Sequence, residues 1–114
     1  NNMKFSQHYN SLIFKVNEAL EYSKEIMISL NVYNKVEASN NDLIELELEL
    51  TAFNKRVASL DLTNKEDLFQ LEETLNSFLI ILSKPIFSKL LSLIKVKEKD
   101  LSLFSLIKTK QIKF

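Results

Sequence analysis

The side chains that could carry chemistry in this chain are few and poorly placed for it. There is one histidine, His8, and no cysteine in 114 residues. A histidine-assisted nucleophile needs an imidazole held by a carboxylate and facing a hydroxyl. His8 stands beside Tyr9 at the start of a helical pattern, with no local signature of that kind. A di-iron carboxylate bundle needs Glu-x-x-His pairs, and the residue three before His8 is Phe5. His8 is therefore expected to be a surface or first-turn histidine.

Carboxylates are the next candidates. Glu45 and Glu49 are four apart and share one face of a helix, while Glu47 points elsewhere. Glu72 and Glu73 form a second close pair. Such pairs bind hard cations or perform acid–base work when other ligands join them. With no His or Cys nearby they read as solvated faces, Glu49 reaching Lys55 or Arg56 only loosely. Glycine is wholly absent, which removes the phosphate-cradling loops of nucleotide sites. Without cysteine there is neither a thiolate zinc site nor a disulfide framework. The expectation is a non-enzymatic protein with no catalytic, cofactor-binding or metal-binding residues.

The C-terminal third is the other unusual stretch. Lys95, Lys97, Lys99, Lys108, Lys110 and Lys113 lie among Phe104, Ile112 and Phe114. Lysine with aromatics can hold single-stranded nucleic acid. Yet the chain has one arginine and no tryptophan, and arginine is the residue that clamps phosphate and reads bases. Nucleic acid is not the expected partner. Net charge is zero but uneven. Residues 37–83 carry three basic and ten acidic side chains, and residues 84–114 carry eight lysines against Glu98 and Asp100. The plainest reading is that the basic end folds beside the acidic middle. The other is a basic tail that meets an anionic partner.

These residues must be positioned by helices. A chain with no glycine and one proline, Pro85, is ill equipped for tight hairpins and sheets. Tyr9, Ile13, Val16, Leu20, Ser23, Met27 and Leu30 repeat at 4-3-4-3-4-3, a heptad seam with one polar member, Ser23. Leu12, Ala19, Ile26 and Tyr33 make a second line beside it. This predicts a first helix from about Ser6 to Lys35. Asp42–Leu50 alternates like a strand, but Leu43, Leu46, Leu50, Phe53, Val57 and Leu60 follow 3-4-3-4-3, which predicts a second helix with Ile44 and Leu48 flanking its seam. Thr63 and Glu66 read as a capping box before a third helix carrying Leu68, Leu71, Leu75, Phe78 and Leu82. At Pro85 either Ser83 caps a new helix with proline in its first turn, or one helix kinks. Ile86, Phe87, Leu90, Leu91, Leu93 and Ile94 follow, and Asp100 could cap a last segment.

The prediction is an all-α compact bundle of four to five antiparallel helices, one domain over residues 1–114. Val16, Leu20, Leu46, Leu50, Phe53, Leu71, Leu75 and Phe78 are its expected core. Asn1 and Asn2 precede Met3 and read as an appended remnant, and residues 108–114 are expected to fray. The final third holds more apolar side chains than one small core needs. That surplus is either a central hairpin or an interaction surface. The candidate interface is Ile80, Phe87, Leu103, Phe104, Ile107, Lys108 and Lys110.

The expected role is binding another protein or a second copy, in the manner of small helical chaperones, adaptors, immunity proteins or adhesins, among which no motif selects. The alternative is a membrane-surface protein that uses the basic-apolar third; no segment reads as a confident transmembrane span. A carboxylate enzyme ranks below both. The Asn, Lys, Ile, Leu and Phe bias, with Gly and Arg scarce, looks like that of an AT-rich microbial genome, an association that says nothing of mechanism. A cytoplasmic location is the default, with export open if an N-terminal signal was removed.

Overall fold

In the computed structural model every strongly periodic segment among the described residues is a helix. The structure describes residues 2–36, 41–62 and 68–93, with side chains over 6–32, 41–62 and 68–92. Helix α1 runs Asn2–Val36, α2 Asn41–Ala58, α3 Leu68–Ser83 and α4 Pro85–Leu93. There is no strand among the described residues. The alternation at 42–50 is overruled by the longer 3-4 seam, as Leu and Glu favour helix over strand.

Contact register gives the directions. Ser23 meets Asn54, and Met27 lies by Thr51, so α1 and α2 run opposite ways. Phe53 meets Phe78, and Glu49 meets Lys84, so α2 and α3 do the same. α4 departs from α3 at 63° and is a short element across the bundle rather than another antiparallel member. Any fifth helix falls outside the described residues, as do the capping box at Thr63 and the segment after Asp100. At about 1.5 Å per residue, α1 alone accounts for the 53 Å length of the molecule.

The break at Pro85 combines the two expected solutions. α3 ends at Ser83 and α4 begins at Pro85. Proline takes the first helical position, where no amide partner is needed. Ser83 does not cap α4: its hydroxyl donates back to the Ile80 carbonyl at 2.8 Å. The Lys84 carbonyl instead accepts from the Phe87 amide at 2.9 Å.

α2 and α3 bury the expected seams: Leu43, Leu46, Leu50, Phe53 and Val57 face Leu71, Leu75, Phe78 and Leu82. α1 is rotated from expectation and starts earlier, at Asn2. Its deepest line is Leu12, Ala19 and Ile26 with Tyr9, Val16, Ser23 and Leu30, and Tyr22 is also enclosed. Ile13, Leu20 and Met27 are only partly buried, so Leu20 leaves the predicted core. The reason is that α1 packs on both α2 and α3, and the strip between the two contacts is the one sealed from water.

An aromatic row ties the elements. Phe53 stacks on Phe78 at 4.7 Å, and Tyr22 meets Phe78 and Phe87 edge-on at 6.4 and 6.2 Å. Rings from all four helices thus touch in sequence, at separations where aromatic pairs attract. Ser23 donates to Asn54 Oδ1 at 2.6 Å, and Asn54 Nδ2 approaches Met27 Sδ at 3.2 Å. The polar member of the α1 seam therefore has a polar partner on α2, a device that holds one register.

Candidate docking groove

α2 and α3 lie side by side, and their outer shoulders enclose a groove of about 330 Å³. Its base is Phe53 and Ile81, buried in the core, with Ala52 and Ile80 on its walls. Lys84 donates to Glu49 Oε1 at one end. At the other, Arg56 lies 3.6 Å from Glu73 and 3.4 Å from Ser77. The Lys84 ammonium is held above the ordinary lysine pKa of 10.5, first by its hydrogen bond to Glu49 and then by the charges of Glu49 and Glu45, against an opposing desolvation. These pairs close the groove with matched charge. Glu49 thus pairs with Lys84 of the α3–α4 bend, a partner outside the loose reach to Lys55 or Arg56 that the sequence suggests.

A second hollow of about 350 Å³ adjoins the first across Arg56, Ser77 and Ile80. Phe69, Glu73 and Asn76 line it. Phe69, Glu73, Asn76 and Ile80 follow one another at 4-3-4 spacing, so they share the outward face of α3. Ile80, 54% exposed, stands on the ridge between the two hollows.

Of the predicted interface residues, the structure thus leaves Ile80 on the surface. Phe87 is a correction: it is 3% exposed and packs on Tyr22, because the bend at Pro85 folds α4 back over the core. Leu79, Ile81, Leu82 and Leu90 are buried as well. The described part of the apolar surplus is thus mostly buried in the bundle, with Ile80 left outside it. Leu103, Phe104, Ile107, Lys108 and Lys110 lie outside the described residues, as does most of the basic third on which a membrane-surface role would rest. No single described helix is long and apolar enough to cross a membrane. α3 and α4 pass that test only as a pair bent by 63°, and most of their large apolar side chains are buried in the bundle.

His8 and Glu72 are also placed differently from expectation. Glu72 is 4% exposed, not on a solvated face, and its Oε1 lies 3.3 Å from His8 Nε2. The pair ties α1 to α3. A signal for it existed: Glu72 sits on the line Leu68, Leu75, Leu79 and Leu82, and His8 four before Leu12. One polar residue on an apolar line calls for a buried partner. Tyr9 adds a second tie, its hydroxyl donating to the Leu62 carbonyl at 2.6 Å. Among the described residues no three His, Asp or Glu side chains converge where a metal could be held. Comparison with protein-family models, curated proteins and solved structures finds no match to this chain.

Proposed function

We propose that this protein is a non-enzymatic interaction module, and that the groove around Ile80 seats the apolar side of an amphipathic helix from another protein. One observation carries the reading: a large apolar side chain stands on a ridge between two hollows whose ends are closed by ion pairs. Helices dock into such grooves through apolar anchors spaced three and four residues apart. The base, Phe53 and Ile81, is fixed by the core and offers a preorganised surface. Lys84–Glu49 and Arg56–Glu73 are exposed enough to add little affinity, and serve to orient the incoming helix.

The test uses helical peptides selected by display against the wild-type chain. Ile80→Asp should keep its far-ultraviolet helical spectrum and lose about tenfold or more in affinity for those peptides. A folded Ile80→Asp protein that binds them as tightly as wild type overturns the groove reading.

A further inference from the structure

Phe69, Glu73, Asn76 and Ile80 follow one another at 4-3-4 spacing on the outer side of α3, and all four line one hollow. Phe69 is 68% and Ile80 54% exposed. Glu73 is exposed as well, and Asn76 is half-buried. The two apolar members stand at the ends of the line and the two polar ones between them. At 1.5 Å of rise per residue the ends are about 16 Å apart.

This line reads the same from either end. The spacing is symmetric, with apolar residues in both outer places and polar residues in both inner ones. Turned end for end against a copy of itself, α3 sets Phe69 opposite Ile80 twice and Glu73 opposite Asn76 twice. Those are the layers of an antiparallel helix pair with heptad spacing. They also meet the requirement of a two-fold interface, in which residue i meets j and j meets i. Charge selects the orientation. Each inner layer holds a carboxylate beside a side-chain amide, whose N–H can donate to it. A parallel pairing would set Glu73 on Glu73, and like charge opposes it. Arg56, 3.6 Å from Glu73 on the bundle side, offsets part of the acidity that remains.

We infer that this face of α3 pairs with the same face of a second copy, as a two-fold antiparallel dimer. The inference rests on the groove reading for taking Ile80 as an anchor. It adds that the free protein covers that anchor with a second copy, which a partner helix must displace. The contact is one helix face, small beside a standard interface of about 800 Å² per partner, so the dimer is weak and forms as concentration rises.

The full chain is followed by sedimentation equilibrium from micromolar to millimolar concentration, with circular dichroism to check that each variant is folded. The wild-type mass should rise from monomer to dimer and stop there. Phe69→Lys and Ile80→Glu should each weaken self-association about tenfold or more. Mixed together they should pair again. The new lysine of one copy then meets the new glutamate of the other, and the remaining Phe69 meets the remaining Ile80. Asn76→Glu should weaken the dimer by setting a carboxylate opposite Glu73, and Asn76→Lys should tighten it. Phe14→Ser, exposed on α1, should change nothing. A wild-type chain that stays monomeric, a mass that grows past the dimer, or a mixture no more associated than its components overturns the inference. If the chain stays monomeric while Ile80→Asp loses the selected peptides, the inference falls and the groove reading stands. If Ile80→Glu dissociates the dimer and the mixture restores it, while the peptides bind Ile80→Asp undiminished, the inference stands and the groove reading falls.

Discussion

At the residue scale, two polar contacts decide how the helices are clamped. Glu72 is buried and its carboxylate faces His8 across the α1–α3 interface. A buried carboxylate that loses its partner keeps its desolvation cost, about 1–3 kcal/mol. His8→Ala should therefore destabilise the protein by about that amount in urea unfolding, well beyond an ordinary surface change of about 0.5 kcal/mol. A loss as small as the latter would show that water satisfies Glu72. Lys84 gives a pH signature. Its pKa in the folded chain is raised above 10.5 by Glu49, so the charged form is favoured by folding. That contribution is complete below the unfolded value and disappears as pH rises through the folded one. The stability gap between wild type and Lys84→Met should be constant through neutral pH and close in strong alkali. The ammonium is partly exposed, so salt should narrow the gap as well. A gap that persists unchanged above the folded pKa would rule the ion pair out as its source.

Among the elements, α2 and α1 teach opposite lessons. In α2 the 3-4-3-4 seam from Leu43 to Val57 is buried, while Ile44 and Leu48 beside it stay exposed. Its face was legible because the seam runs the length of the helix, whereas Ile44 and Leu48 span a single turn. α1 carries two adjacent apolar lines, and only the positions of its neighbours choose between them. Position information of that kind is long-range: Tyr22, on neither predicted line, is enclosed because rings from α3 and α4 meet it. The prediction at this scale is a contrast. Phe53→Ala should cost about 3–5 kcal/mol, since it opens a cavity against Phe78. Leu20→Ala, on the half-buried line, should cost about 1–2 kcal/mol. Equal losses in denaturant titrations would mean that α1 is turned toward its predicted seam after all.

For the whole molecule, the question is which apolar residues close the core and which are offered outward. Composition signals an excess in the last third but does not sort it. The bend at Pro85 does the sorting, turning Phe87 and Leu90 inward while Ile80 stays out. Ile80 and Phe87, seven residues apart and alike in hydropathy, are separated by a change of chain direction that lies between them. Phe87→Asp should accordingly unfold the protein or lower its melting temperature sharply, and Ile80→Asp should leave the thermal transition nearly unchanged. Similar melting curves for the two would show that α4 does not close the core. The proposed groove was legible only in part. Ile80 was named from composition, whereas the hollows on either side of it form only once α2 and α3 are laid side by side.

The aromatic row also makes the molecule its own optical reporter. The chain has three tyrosines and no tryptophan. Tyr22 is held at fixed angles against Phe78 and Phe87, an asymmetric setting that gives a tyrosine a near-ultraviolet circular dichroism band. No indole signal masks it. Swinging α4 away would remove one ring from Tyr22 and leave helix content nearly intact, so the near-ultraviolet band would fall before the far-ultraviolet one. A partner that pries α3 from α4 would be visible without any label, and one that merely settles on the outer surface would leave the band untouched.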